Sequence, residues 1–347
     1  MACTGATPTC APDDTCQGAC ETDSDCASGA CLGDGTCADP NAVLWVANVA
    51  AGTCTLADKC ALSVALTMVS ATKNVIHLDP VAYEFATGFT LTGNFTMTGV
   101  GASVVVDAGT AFAIPSGSSV KIDFLQIGGN QTKQPDEAIS CTNGTFFGRR
   151  ITVALTTGIG MNISGCGTRI ERSFIHDAKG GGIETGGGAV VTMFDNMIFH
   201  NGDAGTAQLG GVRMLGSVDP ASRFEFNTVV DNAVPTGVAG AGVFCNSPTF
   251  MAPNNIIARN TVNGVADLGA QTGGLANPCT YPTSIVQADI TGLNFASPDA
   301  APLSYKLTAG SSAIDAATTP TTVSVDFEDD SRPQGAGNDC GADEFKP

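Results

Sequence analysis

Short apolar runs, separated by Gly, Asn and Asp, recur along the chain from residue 74 onward. Six runs align with one another, because each begins with an apolar or small residue and carries an uncharged residue at its sixth position. The aligned segments are Ile122–Asn130, Ile151–Ile159, Ile170–Ala178, Met193–Asn201, Phe224–Asn232 and Ala252–Asn260. Their starts are separated by 29, 19, 23, 31 and 28 residues. A repeat of about 20 to 50 residues with variable length indicates a solenoid whose extra residues form loops.

The repeated units predict strands rather than helices, because none of them shows an apolar period of 3.6 residues. Three short strands per coil, stacked at about 4.8 Å, fit the length of the units. The fourth position of the repeat reads Asn196, Asn227 and Asn255 in successive units. We expect these amides to stack inside the solenoid and to hydrogen-bond one another as a ladder.

A strand and a helix are predicted before the repeat begins. Residues Val43–Val46 form an apolar strand-like run, and a helix is predicted from about Leu56 to Val69. Thr55 and Asp58 resemble a capping box, and apolar residues then recur every fourth position. Such a helix would close one end of the solenoid, where backbone groups would otherwise be unpaired.

Fourteen cysteines indicate an oxidising compartment, and seven of them fall within the first 37 residues. That first segment lacks apolar periodicity, so disulfides rather than a core would stabilise it. Seven is odd, so at least one of these cysteines would pair outside the segment, and Cys340 is one candidate. Three further pairs are suggested by their spacing: Cys54–Cys60, Cys141–Cys166 and Cys245–Cys279. The predicted location is secreted or cell-surface, with Met1 standing where a signal peptide was removed.

The C-terminal residues carry three elements that resemble a known family. They are Ser311–Ala316 (S-x-A-I-D-A), Asp326 with Arg332-Pro333, and Asp339–Glu344 (D-x-G-A-x-E). Together with the repeat they resemble bacterial surface proteins that have a right-handed parallel β-helix and a choice-of-anchor Q-like C-terminal region. Asp329-Asp330 stand where that family has Gly, so the turn there is expected to differ. The resemblance implies an all-β fold and a bacterial, Gram-negative surface, but no reaction.

The predicted organisation has four parts. Residues 1–40 form a Cys-rich segment stapled by disulfides, and residues 41–73 hold the entry strand and the capping helix. Residues 74–310 form the parallel β-helix, and residues 311–347 form a C-terminal cap region.

Charge excludes several classes of partner. The chain has 33 acidic and 15 basic residues, a net charge of −18, and only 14 % of its residues are charged. Such a balance disfavours nucleic acid and anionic membrane surfaces. No apolar run approaches the length of a membrane-spanning helix. The partner predicted instead is an extracellular polysaccharide or glycan, with the oligomeric state left open.

The eighth position of the repeat supplies the predicted chemistry, since it is expected to face outward. It reads Asp177, His200, Asp231 and Arg259 in four successive units, a set called here the outer column. Two carboxylates and an imidazole are suited to acid–base catalysis, and Arg259 is suited to holding an anionic sugar. The ninth position adds Asn201, Asn232 and Asn260 as substrate-binding candidates. The alternative is a solvated edge whose charges neutralise one another.

Other charged groups favour structural roles. Glu171, Arg172, Asp195 and Glu225 are interpreted as surface ion pairs, and Arg149-Arg150 as a weak basic spot for an acidic polymer. Asp326–Asp330 offers oxygen ligands for Ca²⁺, but pairing of Asp326 with Arg332 is the preferred interpretation. No metal and no cofactor are predicted.

Two functions from different classes remain open. The first is an adhesin or polysaccharide-binding protein that uses the long outer wall. The second is a polysaccharide-degrading enzyme, a hydrolase or a lyase, that uses Asp177, His200 and Asp231. Binding is slightly favoured because Trp and Tyr, which often stack on sugars, number only 1 and 3.

Overall fold

Three parallel β-sheets wind around one apolar core in a computed structural model of the chain, which describes residues 9–10, 16–17, 20, 22–216, 218–274 and 278–347. The fold is a right-handed parallel β-solenoid of about eight turns, as predicted. The sheets are called here face A, face B and face C. Each coil follows them in that order, with a first bend between A and B and a second bend between B and C.

The strands of one face stack in register from coil to coil. Face A contains Val43–Val46, Val75–Leu78, Thr145–Arg149, Gly167–Glu171, Val190–Phe194 and Arg223–Glu225. Face B contains Thr152–Ala154, Phe174–His176, Met197–Phe199, Thr228–Val230, Ile256–Ala258 and Ile285–Gln287. Face C contains Glu137–Thr142, Ile159–Ser164, Gly181–Gly186, Val212–Met214, Val243–Cys245 and Thr272–Gly273.

Three longer strands pass around the bends in the early coils. Asn94–Ile114 contributes to all three faces, Ser119–Gly128 to faces A and B, and Ala82–Thr90 to faces B and C. The remaining strands form three small pairs: Thr9–Cys10 with Cys16–Gln17, Ala233–Val234 with Thr261–Val262, and Phe295–Ser297 with Ser304–Leu307. Helices α1 (Leu62–Met68) and α2 (Leu268–Gln271) and a 3₁₀ turn at Asp23–Asp25 complete the elements.

The repeat alignment was wrong in one unit. Gly148, not Ile151, lies in register with Ile122 and Ile170, so that unit begins three residues earlier than predicted. A Cβ on Gly148 would lie 2.7 Å from the Cδ1 atom of Ile151. The Ile151 side chain therefore fills the core space that the glycine leaves, which explains why the apolar pattern pointed to the wrong residue.

Helix α1 begins at Leu62 rather than near Leu56. The Cys60 amide donates to the Trp45 carbonyl at 3.0 Å, so Cys60 extends the sheet of Val43–Val46 and cannot be helical. Thr55 and Asp58 hydrogen-bond each other within a bend, which the sequence pattern mistook for a capping box. Leu62 packs in the core, so the helix lies against the first coils.

Two ladders of buried amides run along the bends. At the first bend the Nδ2 atom of Asn196 donates to the Oδ1 of Asn227 at 2.9 Å, and Asn227 donates to Asn255 at 3.1 Å, as predicted. Each of these asparagines follows a residue with positive φ, which turns the chain sharply while the amide satisfies backbone groups inside.

The second bend contains a similar ladder of asparagines, which corrects a prediction. Asn201, Asn232 and Asn260 are fully buried and form a ladder that ends on Gln271, with steps of 3.0, 2.9 and 2.9 Å. Each amide also donates to carbonyls of its own or a neighbouring coil. The prediction that the ninth position contacts a substrate was wrong. Backbone groups buried at this bend need hydrogen-bond partners, and the inward asparagine side chains supply them.

Disulfides connect neighbouring coils and staple the N-terminal segment. The bonds Cys54–Cys60, Cys141–Cys166 and Cys245–Cys279 confirm the predicted pairs, and Cys20–Cys31 and Cys26–Cys37 lie within the first 40 residues. Cys340 has a free, buried thiol that donates to the Thr283 carbonyl at 3.0 Å, so its pairing with the N-terminal segment was wrong. The side chains of Cys3, Cys10 and Cys16 lie outside the described residues.

The two terminal segments pack on the outside of the solenoid. The Cys-rich segment lies on face A, where the Thr98 hydroxyl donates to the Cys31 carbonyl at 2.8 Å and His77 contacts Asp23 at 2.9 Å. The C-terminal residues cover part of face B, around Phe226 and Ile256. In the part of the chain that the structure describes, no helix is long and apolar enough to cross a bilayer.

Candidate functional site

The outer column is formed as the sequence indicated. Asp177, His200, Asp231 and Arg259 each end a strand of face B, with φ between 53° and 57°. The left-handed backbone at this bend directs their side chains outward from adjacent coils. The structure therefore stacks the four predicted residues on one edge.

Asp231 is already fully engaged within this edge. Its carboxylate accepts two hydrogen bonds from Arg259, at 2.5 and 2.9 Å, and a third from the Tyr305 hydroxyl at 2.6 Å. Only 10 % of the Asp231 side chain is exposed. The Asp231 hydrogen bond raises the pKa of Arg259, and burial beside Asp231 raises the pKa of Tyr305. Arg259 also donates to Asp299 at 2.6 Å, so its guanidinium already has two carboxylate partners.

The other two members of the outer column, His200 and Asp177, have different partners. The Nε2 atom of His200 lies 3.4 Å from the Tyr305 hydroxyl and 4.0 Å from the Asp231 carboxylate. Asp177 pairs instead with its chain neighbour His176 at 2.7 Å. The geometry resembles the self-neutralising edge more than an acid–base pair, and the catalytic role of these residues stays a prediction.

A different cluster of charge lies on face A, where the sequence suggested only surface ion pairs. Arg149, Arg169, Arg172 and Arg223 line a cavity of about 200 Å³ with Glu171, Phe194, Asp195 and Thr322–Val325. This set is called here the arginine cleft. It brings Arg149 of the predicted basic spot together with Glu171, Arg172 and Asp195 of the second charged column.

Strand register explains why the arginines converge. Arg149, Glu171 and Phe194 are paired in successive coils, and Phe147, Arg169 and Thr192 form the adjacent outward column. Side chains two residues apart share one side of a strand, and the next coil lies about 4.8 Å away. Arginines at alternate positions of neighbouring coils therefore meet on the same patch of the outer wall.

The cleft has more guanidinium groups than carboxylates to match them. Glu171, only 4 % exposed, contacts Arg149 at 3.0 Å, Arg172 at 3.8 Å and also Arg169. One buried carboxylate thus holds three arginines in place. Arg223 pairs separately with Glu225 at 2.8 Å.

Aromatic rings alternate with the arginines along the wall. The guanidinium of Arg149 lies 4.8 Å from the centre of the Phe147 ring, and that of Arg223 lies 4.4 Å from the Phe194 ring. Arg169 lies between the two rings, at 5.6 and 5.7 Å. Rings and guanidiniums stacked in this way lose little freedom on binding a ligand, which favours a preformed surface.

The two terminal segments form the sides of the cleft. The Gly33 amide of the Cys-rich segment donates to Asp123 at 2.9 Å, and burial raises the pKa of this Asp123 carboxyl to about 6. On the opposite side, Arg223 donates to the Thr322 hydroxyl at 3.0 Å. The cleft therefore lies between the two terminal segments, and Thr322–Val325 of the C-terminal segment form part of its wall.

Arg332 fixes the C-terminal side by a buried ion pair. Its guanidinium donates to Asp195 at 3.0 Å and to Glu344 at 2.8 Å, and stacks 4.5 Å from the Phe226 ring. Burial raises the pKa of Asp195, whereas the Arg332 charge opposes that rise. The preferred pairing of Arg332 with Asp326 was wrong, since the cap directs this arginine to the solenoid.

Asp326 has a different structural use. Its carboxylate accepts the backbone amides of Glu328 and Asp330 at 2.8 Å and of Glu344 at 2.9 Å. These bonds shape the acidic turn, so the Asp326 oxygens that were offered as Ca²⁺ ligands are engaged within the cap.

Two further cavities continue the cleft across the strands. One, of about 320 Å³, shares Arg169 and is lined mainly by Phe146, Phe147 and the starts of face A strands. The other, of about 340 Å³, shares Arg172 and contains Arg150 and Asp329. Five of the eight arginines in the chain line this continuous path. Their concentration between residues 149 and 223 was the signal that the sequence offered.

Comparisons with known proteins agree with the fold. A family model described as a right handed beta helix region matches residues 137–278. The solved structure of a pectate lyase, Pel9A, is similar with a TM-score of 0.51 and 15 % sequence identity, covering 87 % of this chain and 96 % of that chain. No curated protein matches. At this identity the likeness to Pel9A concerns the architecture alone.

Proposed function

We propose that this chain is an extracellular β-helix protein that binds an acidic polysaccharide in the arginine cleft. The observation that carries the proposal is the convergence of Arg149, Arg169 and Arg172 on the single buried carboxylate of Glu171, within a chain of net charge −18. Excess guanidinium groups on an acidic protein indicate a local anion site, because guanidiniums pair with carboxylates through paired hydrogen bonds.

The form of the site favours an acidic glycan over other anions. The path continues through three adjoining cavities, which suits an extended chain rather than a single small ion. Phe147 and Phe194 offer ring faces between the arginines, where the apolar side of a sugar can pack.

The extracellular part of the proposal is supported by the disulfides. Five of them are present among the described residues, and such bonds persist in oxidising compartments. A bacterial surface location comes from the sequence resemblance, an adhesive role comes from the long outer wall, and both remain part of the proposal. The pectate lyase likeness adds the architecture, while the ligand class rests on the cleft.

Binding is preferred over the alternative, a polysaccharide-degrading enzyme. A general acid or base needs a lone pair or a proton that can reach the substrate. The carboxylate of Asp231 is held by Arg259 and Tyr305 and is mostly covered. Catalysis at the outer column would require these contacts to open first.

The proposal is tested by affinity electrophoresis in gels that contain polygalacturonate, alginate or neutral dextran. We expect the acidic polymers to retard the protein and dextran not to do so. Arg149→Gln and Arg169→Gln should each weaken binding about tenfold, the worth of one charged hydrogen-bonded pair. Arg213→Gln is the matched control, because Arg213 pairs with Glu184 on face C, away from the cleft.

Equal retardation by dextran, or unchanged binding in both cleft variants, would overturn the proposal. The same samples are assayed for new reducing ends and unsaturated products. Products formed by the wild type and lost in Asp231→Asn would establish the enzyme alternative at the outer column instead.

A further inference from the structure

One residue of the C-terminal cap reaches into the arginine path. Asp329 lies at the tip of the acidic turn, with a φ of 71° that glycine adopts more readily than other residues. The chain therefore has a charged side chain at a turn position whose backbone favours a residue without one.

The Asp329 carboxylate bridges two arginines. Its Oδ2 atom contacts Arg150 and its Oδ1 atom contacts Arg172, so each oxygen faces a different guanidinium. Both arginines leave face A at the first bend, with φ values of 52° and 48°. Stacking of equivalent bend residues on adjacent coils thus creates a two-arginine fork, and the cap supplies a carboxylate to it.

The fork is accessible from an open cavity. Arg150, Arg172 and Asp329 line the space of about 340 Å³ that adjoins the arginine cleft through Arg172. One third of the Asp329 side chain is exposed, so solvent reaches the ion pair. The turn itself is fixed by Asp326, so rotation of the Asp329 side chain alone would expose the guanidinium edges that it now contacts.

We propose that Arg150 and Arg172 form a carboxylate subsite, which Asp329 occupies in the free protein and a uronate carboxylate occupies in the complex. This inference rests on the proposed function and names the ligand group at one end of the path. Asp329 acts as an internal competitor, because a second carboxylate cannot share the same guanidinium edges. The ligand class that fits is a polymer of uronic acids.

The test compares two variants that remove the same charge from the same turn. Asp329→Asn keeps the size of the side chain and a residue type that tolerates positive φ, but it lacks the competing charge. Asp330→Asn is the control, since Asp330 pairs with the exposed Lys346. Dissociation constants for polygalacturonate are measured by isothermal titration calorimetry, with circular dichroism to verify folding.

We expect Asp329→Asn to bind polygalacturonate about three- to tenfold more tightly than the wild type, and Asp330→Asn to bind within about twofold of it. Adding Arg150→Gln to Asp329→Asn should remove the gain. Unchanged or weaker binding by Asp329→Asn would overturn the inference and show that Asp329 holds the arginines in place. An equal gain for dextran sulfate would overturn the assignment to carboxylates.

The outcome is separable from that of the proposed function. Loss of binding in Arg149→Gln and Arg169→Gln tests whether the cleft binds an acidic polymer at all. Asp329→Asn tests only whether the fork at its end is occupied by the cap. The first can succeed while the second fails.

Discussion

The arginine cleft and the outer column are built in the same way, from outward side chains on adjacent coils, yet they differ in charge balance. In the outer column, Asp231 meets Arg259 in the next coil, and the two charges cancel. In the cleft, Arg149 and Arg169 share the carboxylate of Glu171, whereas Arg172 pairs with both Glu171 and Asp329. The informative difference between the two regions is therefore the number of arginines that one carboxylate serves, one at Asp231 and three at Glu171.

The two regions also differ in how far the terminal segments of the chain cover them. The strand Ser304–Leu307 places Tyr305 over Asp231 and His200 and closes the outer column. The Cys-rich segment and the C-terminal cap stand on either side of the cleft and leave it open. The ends of the chain therefore decide which part of a repetitive wall is available to a ligand.

The largest expected effect concerns the buried pair beneath the cleft. Arg332→Met should lower the free energy of unfolding by about 3 to 5 kcal/mol, because Asp195 and Glu344 would remain buried without their partner. Arg259→Met, in the partly exposed column, should cost about 2 kcal/mol, because Asp231 keeps the Tyr305 hydroxyl as a partner. Urea unfolding of both variants measures the difference, and similar losses would contradict the distinction between the two regions.

The second effect concerns the N-terminal side of the cleft and is seen in pH dependence. The pKa of Asp123 is raised to about 6 by burial, while Arg149 lowers it. Its stabilising contribution is therefore complete below about pH 4 and is lost as pH rises through 6, because the unfolded chain ionises first. The wild type should lose about 2 kcal/mol from this group between pH 4 and pH 7.

Asp123→Asn should flatten this dependence, since the amide has no proton to lose. Urea unfolding at pH 4, 5, 6 and 7 compares the variant with the wild type and with Asp107→Asn, a change at an exposed carboxyl. Parallel curves for Asp123→Asn and the wild type would show that Asp123 does not titrate as described.

The smallest expected effect is in the outer column. Tyr305→Phe removes one hydrogen bond to Asp231, which keeps both of its Arg259 bonds, and should cost about 1 kcal/mol of stability. It should leave retardation by polygalacturonate unchanged, because Tyr305 is remote from the arginine cleft in the repeat. Weaker retardation in a folded Tyr305→Phe variant would place ligand contacts at the outer column.

The fold was predictable because the residues that stabilise it recur from coil to coil. Apolar residues in register, asparagines at one bend and cysteines one coil apart each leave a recurring mark in the sequence. The misaligned unit at Gly148 shows the limit of such reasoning. There the Ile151 side chain fills the core space beside Gly148. The apolar pattern shows which residue is buried, but it does not show which backbone position in the repeat that residue occupies.

The candidate site was less predictable, since its members come from several coils and from both termini. Sequence analysis found the outward position of Asp231 but placed the adjacent Asn232 outside as well. The two side chains point in opposite directions because of the bend. There, a residue with left-handed backbone conformation has its own side chain outward, and the side chain of the next residue points inward. A repeat alignment shows equivalence between positions, but it does not show their direction.

A disulfide-bonded solenoid with a polar ladder and charged outer columns is predictable from the amino-acid sequence. These properties follow from residue types at repeated positions, because each coil contacts only its neighbours. Which charged column is neutralised and which remains open is visible only in the folded chain. That outcome depends on the contacts that Asp123, Tyr305, Asp329 and Arg332 make at the outer surface of the solenoid. Such long-range contacts have no periodic signal in the sequence.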